Sequence, residues 1–258
     1  MGLLAGKAAL VTGGARGNGA GIGRGLAEHG ADVVLADIDG DAVVSTASEI
    51  ADATGRRVAG ILGDVGNPAD AEAMADHTVS ELGRIDILVN NAGIFEPGDF
   101  LEMSLESWER VLRVNLTGSM LVAQAAARRM AKSGGGSIIN VTSIGADKAF
   151  AGTTSYGASK GGLQMATRCM ALDVARARIR VNAIAPGFIK TAMTEPLYTT
   201  PETVSMIEEF VPMDRMGVPA DLAGTVVYLA SDLAEYVTGE TITVDGGVVA
   251  GFASWRSD

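Results

Sequence analysis

The sequence predicts an α/β domain, a doubly wound parallel sheet with helices on both of its faces. Three observations carry that expectation. Short apolar runs alternate with longer helical patterns along most of the chain, as strands joined by crossover helices would. Gly30, Gly55 and Gly83 each close a helical pattern just ahead of the next apolar run. The first apolar run also leads straight into a glycine-rich loop followed by a helix. A chain of 258 residues is long enough for one core of this kind, so residues 1–258 read as a single domain.

Lys7 to Val11 forms the first buried strand. It feeds Thr12 to Gly19, TGGARGNG, and then a helix through His29. Strand, glycine loop and helix together present backbone N–H groups and a helix N-terminus to a pyrophosphate. The glycines Gly13, Gly17 and Gly19 are spaced G-x-x-x-G-x-G, not G-x-G-x-x-G. A second frame ending on Gly21 and Gly23 exists. The first is preferred because it leaves about three helical turns before Gly30. Ile22 then faces the sheet and Gly23 permits close helix–strand packing.

Asp32 to Ala36 is the second strand, with Asp37 at its carboxyl end. A carboxylate about 20 residues beyond the glycine loop suits the adenosine ribose hydroxyls and repels a 2′-phosphate. Arg16 argues weakly for that phosphate, with a plain surface arginine as its other reading, and Asp37 decides for NAD. Asp39 and Asp41 start and cap the next helix, which runs to about Thr54. Val58 to Leu62 is the third strand, leading into Gly63-Asp64-Val65. Pro68 to Leu82 is helical, and Ile87 to Val89 is a fourth strand ending in NNAG, Asn90 to Gly93. In such sheets ligands sit beyond the carboxyl ends of the strands. That rule places Thr12, Asp37, Asp64 and Asn91 along one edge.

Ser107 to about Met130 reads as one long helix, in which Asn115 interrupts an apolar run, RVNLTG. A buried asparagine must be hydrogen-bonded, for structural reasons, functional ones or both. Ser137 to Val141 is the fifth strand, ending in Thr142-Ser143. Thr153 to about Arg176 is a helix that tolerates Gly157, Gly161 and Gly162, which suggests close backbone approach. Ile179 to Ile184 is the sixth strand, ending in Ala185-Pro186-Gly187. Tyr156 and Lys160 are four apart, so a helix puts both on one face. The ammonium beside the phenol is expected to lower its pKa and so to make it a proton donor and acceptor near neutrality.

Bulk composition excludes several classes. A hydrophobic fraction of 47% against 20% charged residues rules out a disordered chain. The net charge of −11 disfavours nucleic acid and anionic membrane surfaces as partners. No run approaches a membrane span, and the first strand follows Met1 so closely that no signal peptide is expected. The lone Cys169 fits a reducing compartment, and the expected location is the cytoplasm. His29 and His77 have no partner at ligand spacing, so no metal is expected.

These motifs, in this order and spacing, resemble the short-chain dehydrogenase/reductase family in its compact single-domain branch. The match spans essentially the whole chain, and VTGETITVDGG, from Val237, resembles the family's last strand and turn. The resemblance implies a seven-stranded Rossmann-type sheet. It implies NAD contacts from Gly13, Arg16, Gly17, Asn18 and Gly19, with Asn18 where isoleucine is usual. Further contacts are implied for Asp37, Ile38, Asp64 and Val65, for Asn91, Ala92 and Gly93, for Tyr156 and Lys160, and for Pro186, Gly187, Ile189 and Thr191. It implies a catalytic tetrad of Asn115, Ser143, Tyr156 and Lys160. In that reading Tyr156 is the acid/base, Lys160 lowers its pKa and bonds the nicotinamide ribose, Ser143 holds the substrate oxygen, and Asn115 positions Lys160 through a water. It further implies a homotetramer.

The implied reaction is NAD(H)-dependent interconversion of a secondary alcohol, with polyols and sugars among the candidates, and its ketone. A 3-oxoacyl-thioester reductase of the same family is the alternative within enzymes, and a non-catalytic dinucleotide sensor is the alternative outside them. Substrate choice is expected to rest on residues 192–215. Met193, Met206, Met213, Leu197, Tyr198, Phe210 and Val211 form either an adaptable apolar wall or a helical lid packed on itself. Glu96, Asp147 and Lys148 either touch a polyol or are solvated. Phe252 and Trp255, in the tail, are expected to pack on a neighbouring subunit.

Overall fold

A computed structural model describes residues 2–195 and 198–251. Seven strands form one parallel sheet in the order β3-β2-β1-β4-β5-β6-β7. They are β1 (Ala8–Thr12), β2 (Asp32–Asp37), β3 (Val58–Leu62), β4 (Ile87–Asn90), β5 (Gly136–Val141), β6 (Ile179–Pro186) and β7 (Thr241–Val244). The order reverses direction between β1 and β4, which opens a crevice at the carboxyl edge there.

The helices are α1 (Gly17–Glu28), α2 (Gly40–Thr54), α3 (Pro68–Leu82), α4 (Leu105–Leu112), α5 (Ser119–Ser133), α6 (Thr154–Val174), α7 (Pro201–Glu209) and α8 (Pro219–Ala230). Alternate strand residues serve opposite faces, as the pleat requires. Ala9, Val11, Val33 and Leu35 pack with Ile22, Leu26, Val43, Ile50, Leu222 and Val226, which come from α1, α2 and α8. Leu10, Val34 and Ala36 pack instead with Met74, Val122, Ala126 and Ala171, from α3, α5 and α6. Each fully buried leucine or isoleucine contributes roughly 1.5–3 kcal/mol, so both faces are covered by an apolar core.

Local sequence explains the helix ends. Asp39 caps α2 through the Ala42 N–H, and Asn67 caps α3 ahead of Pro68. Gly55, Gly83 and Gly134 end α2, α3 and α5 in the left-handed conformation. α1 packs tightly against α8. A Cβ at Gly21 would come within 2.5 Å of Pro219 Cβ, and one at Gly25 within 2.5 Å of Ala223 Cβ.

The predicted helix over 107–130 differs in an informative way. It begins at Leu105, because Ser104 accepts the Ser107 N–H as its cap. Its middle, Arg113–Gly118, is a π-helical turn between α4 and α5. One helical line therefore contains a widened turn with Asn115 in it, where the sequence suggests an uninterrupted helix. β6 also runs two residues further than expected, to Pro186. No helix among the described residues is long and apolar enough to cross a membrane. Among them, no group of three or more His, Cys, Asp and Glu is arranged to hold a metal. Leu197, Phe252 and Trp255 lie outside the described residues.

Candidate active site

A cavity of about 380 Å³ opens at the carboxyl edge of the sheet. Its floor is built by stitching the loops after β1 and β4. Thr12 Oγ1 accepts the N–H groups of Asn91 and Ala92, both at 3.1 Å. Asn91 Nδ2 returns hydrogen bonds to the carbonyls of Thr12 and Gly13, at 3.0 and 3.1 Å. Gly13 and Gly17 adopt φ of +64° and +55°, which a side chain would strain. Gly19 lies behind the loop rather than in the cavity wall. A Cβ there would sit 2.0 Å from the Gly13 carbonyl oxygen, so only glycine lets the first helical turn close on the loop. Gly21 and Gly23 serve packing instead, Gly23 against Leu35 of β2. The first glycine frame is the one that shapes the cavity.

The fit to a dinucleotide can be judged from these residues. α1 starts without a side-chain cap and without an acidic residue in its first turn, so its first N–H groups are open to an anion. Asn18 lines the cavity beside them, with its Oδ1 buried and without a hydrogen-bond partner. At the far end Asp37 Oδ2 accepts the Ala15 N–H at 3.0 Å, and its Oδ1 accepts the Asp39 N–H at 3.1 Å. Arg16 is turned onto Asp39 in an ion pair. An anion site at the helix start with carboxylates beyond it suits a dinucleotide whose ribose hydroxyls are free.

Every residue expected to contact the cofactor lines this cavity, Gly19 excepted. Ser143, Tyr156 and Lys160 line it too, and Asn115 does not. Residues that the sequence reading missed are Ile94, Arg113 and Val114. Arg113 pairs with Asp64 at 2.9 Å and, with Gly66, holds that carboxyl below its usual range against an opposing effect of burial. The charge of Arg113, in contact with Asp64 but 49 residues away in sequence, left no local signal.

The helix that carries the reactive pair is fixed by buried polar groups. Asn90 Nδ2 donates to Asn140 Oδ1 at 2.9 Å, and Asn140 Nδ2 donates to Thr167 Oγ1 at 2.8 Å, linking β4, β5 and α6. The glycines of α6 meet neighbours, as expected. Gly157 and Gly161 face the turn after Ser143, and Gly162 faces Leu116 of the π-helical turn.

Asn115 is fully buried and acts as a clamp. Its Oδ1 accepts the Ile94 N–H at 2.8 Å, and its Nδ2 donates to the Ile94 carbonyl and to Ser159 Oγ, each at 3.0 Å. A Cβ at Gly93 would lie 3.2 Å from Asn115 Oδ1 and 3.5 Å from Lys160 Nζ, so both groups border that glycine. Lys160 Nζ donates to the Val141 carbonyl at 2.8 Å. Burial pushes its pKa down to about 8. Ser143 Oγ accepts the Gly145 N–H at 3.0 Å, which leaves its own proton to donate elsewhere.

The expected lowering of the Tyr156 pKa is not what the protein alone provides. Burial raises it, and the neighbouring Ser143 hydroxyl only partly offsets that. The reason is geometric. Lys160 Nζ stands 5.8 Å from the centre of the phenol ring and is tied to a backbone carbonyl, while its own charge is disfavoured by burial. Spacing of four brought the two groups together, but the environment decides the sign.

Two of the three polar residues that follow the motifs have protein partners. Glu96 is held by Arg110 and Ser107, and Asp147 by Gln164. Of the apolar residues in 192–215, Met193 lines the cavity, while Met206, Phe210 and Met213 stay exposed and Val211 is buried elsewhere.

A family model described as enoyl-(acyl carrier protein) reductase matches residues 13–249. A 3-oxoacyl-(acyl-carrier-protein) reductase FabG of Chlamydia muridarum is 39% identical over 246 residues, covering 95% of this chain and 98% of that protein. A 2-dehydro-3-deoxy-D-gluconate 5-dehydrogenase of Escherichia coli K12 is 40% identical over 250 residues, covering 96% and 97%. The crystal structure of a gluconate 5-dehydrogenase from Burkholderia cenocepacia J2315, in complex with NADP and tartrate, superposes with a TM-score of 0.92 at 36% identity, covering 96% of this chain and 97% of that one.

Proposed function

The chain belongs to the short-chain dehydrogenase/reductase family and is an oxidoreductase; from that premise we propose that it uses NAD(H) to interconvert a secondary alcohol and its ketone. The observation that carries this reading is the convergence of Ser143, Tyr156 and Lys160 in one cavity with the glycine loop and Asp37.

A dinucleotide held by these residues would supply or accept the hydride. Tyr156 gives a proton to the carbonyl oxygen in reduction and takes it back in oxidation. Ser143 donates its free proton to the same oxygen, where negative charge develops. Lys160 would hold the ribose beside the nicotinamide, and when protonated its charge would oppose the effect of burial on the Tyr156 phenol. Asn115 fixes the loop and helix between which Lys160 lies and, through a water, completes a proton path to solvent. Gly13, Gly17, Asn18 and Gly19 would serve the pyrophosphate, with Gly19 acting from behind, while Arg16 lines the adenosine end paired with Asp39. Asp37 and Ile38 serve the adenosine ribose, and Asp64 and Val65 the adenine. Asn91, Ala92 and Gly93 serve the second ribose, and Pro186, Gly187, Ile189 and Thr191 the nicotinamide amide.

NAD rather than NADP is supported by the two carboxylates at the adenosine end and by the engagement of Arg16 with Asp39. The assembly proposed is a homotetramer in the cytoplasm. Leu105 before the π-helical turn, and Met165 and Leu172 on α6, are exposed apolar residues that a subunit contact would cover. Light scattering that returned a monomer mass at micromolar concentration would overturn this.

A second reading, reduction of a 3-oxoacyl thioester, is favoured by the 39% identity to the Chlamydia muridarum enzyme. The net charge of −11 opposes it, because it repels an acidic acyl carrier. The deciding experiment is a screen of secondary alcohols, polyols, sugars and a 3-oxoacyl thioester with NAD and NADP, followed by the absorbance of the reduced cofactor. Turnover of the thioester alone would replace the first reading by the second.

A further inference from the structure

The segment Ile94–Phe95–Glu96 leaves the loop after β4 and is tied down on both sides of its phenylalanine. Ahead of it, Ile94 has its N–H and its carbonyl both bonded to the Asn115 carboxamide, at 2.8 and 3.0 Å. Behind it, Glu96 accepts Arg110 Nε at 2.7 Å, Arg110 Nη2 at 2.8 Å and Ser107 Oγ at 2.8 Å. An exposed ion pair alone would do little. This one is bidentate, has a third donor, and fixes a loop to α4. Two residues further on, the Gly98 N–H donates to the Gly152 carbonyl at 2.9 Å, joining the loop to the approach of α6.

What this double anchorage presents is one ring. Phe95 stands edge-on to Tyr156, with ring centroids 5.0 Å apart and planes at 88°. That is a favoured aromatic geometry, and it restricts rotation of the phenol. We propose that Phe95 is a positioning residue for Tyr156, set in place by the Glu96–Arg110 pair and by Asn115. The proposal rests on the reading of Tyr156 as the proton-transfer group. Its content is that the phenol is aimed by a neighbour outside the tetrad, and that Glu96 acts through Phe95 rather than on substrate.

The contact also keeps water from one side of Tyr156, whose pKa burial raises. Removing the ring relieves part of that burial, so an apparent pKa that depends on Tyr156 falls. Among the described residues, the charged groups on the elements that pack here are accounted for. Lys160 comes from α6 itself, Glu96 from the loop is neutralised by Arg110, and Asp147, beside Lys148 in the turn after β5, is held by Gln164.

The test uses the full enzyme with saturating dinucleotide. Alcohol oxidation is followed against pH for wild type, Phe95→Ala, Phe95→Leu, Arg110→Gln, Arg110→Lys and Tyr156→Phe, and dinucleotide affinity is read from tryptophan fluorescence. Phe95→Ala should lower kcat by at least about tenfold and move the apparent pKa down, with dinucleotide Kd within twofold. Phe95→Leu, which keeps apolar bulk, should lie between. Arg110→Gln should shift both quantities in the same direction but less, and Arg110→Lys should restore part of the loss. Wild-type kcat and pH profile in both Phe95 variants would overturn the proposal. So would a loss of Kd in parallel with kcat, which marks collapse of the site rather than aim. If Tyr156→Phe keeps wild-type kcat, the reading of the phenol fails and this proposal falls with it. If Tyr156→Phe loses kcat while Phe95→Ala does not, this proposal alone fails.

Discussion

Asp37→Ala is predicted to move cofactor preference toward NADP by about a hundredfold. The Asp37 carboxylate accepts the N–H groups of Ala15 and Asp39, so it stands fixed at the end of β2. A phosphate about 6 Å away, at an effective dielectric near 20, is opposed by roughly 3 kcal/mol per unit charge. Screening at physiological salt removes about half of that. Removing the carboxylate therefore returns about 1.5 kcal/mol to NADP. It also uncovers the two N–H groups, which become donors for the phosphate. NAD meanwhile loses a charge-assisted bond to its ribose, worth about 1.5 kcal/mol. The two effects together approach 3 kcal/mol, a hundredfold change in the ratio of kcat/KM values. Asp39→Ala added to Asp37→Ala frees Arg16 and should extend the shift. Initial rates with both cofactors at fixed alcohol give the ratio directly. Wild type should prefer NAD by at least about tenfold. A wild-type preference for NADP, or a change in ratio below about threefold on Asp37→Ala, would refute the electrostatic reasoning. The Burkholderia cenocepacia structure in complex with NADP makes the result informative in either direction.

Three further outcomes are expected. Tyr156→Phe keeps the ring and its contact with Phe95, so dinucleotide Kd should change less than twofold while kcat falls by at least about a hundredfold; stopped-flow or steady-state rates that stay near wild type would place the chemistry elsewhere. Lys160 is charged less readily in the folded protein than in the unfolded chain, because its folded pKa of about 8 lies below the usual lysine value. Between about pH 8 and the unfolded lysine pKa near 10.4 the unfolded state therefore binds more protons, and stability rises with pH. Thermal melts without cofactor should show wild type gaining on Lys160→Met across that window, and a gap that is flat or moves the other way would contradict the burial effect. Asn115→Ala leaves the Ile94 N–H and Ser159 without their partner and should cost about 2–4 kcal/mol in chemical denaturation, against under 1 kcal/mol for an ordinary surface change.

The strands were legible because each is an apolar run with its own boundary residues, and the loop residues were legible because their spacing follows from the sheet edge. Asp37 at the end of β2 and Asn91 after β4 are both of this kind. The π-helical turn was not, since a widened turn has no compositional mark; RVNLTG announced only that its asparagine needed partners. The sign of the Tyr156 shift was hidden for another reason. It is set by burial, which the Ser143 hydroxyl only partly offsets, while Lys160 is anchored on the Val141 carbonyl; none of this is encoded in helical spacing. Glu96 looked available because its partner Arg110 is 14 residues away. In the segment over 192–215, composition showed that methionines and aromatics were present but not which of them turn inward.

The close packing of α1 on α8 has a consequence for how the molecule is made. The helix whose first turn faces the cavity is buttressed by residues nearly two hundred positions later, Pro219 against Gly21 and Ala223 against Gly25. During synthesis the glycine loop emerges nearly two hundred residues ahead of its supporting wall. The amino-terminal half cannot finish its own nucleotide cradle, and contacts of such long sequence range make folding slow and collective. A nascent chain arrested before Pro219 should therefore fail to be rescued by added dinucleotide, whereas one released after Ala230 has every element that the loop leans on.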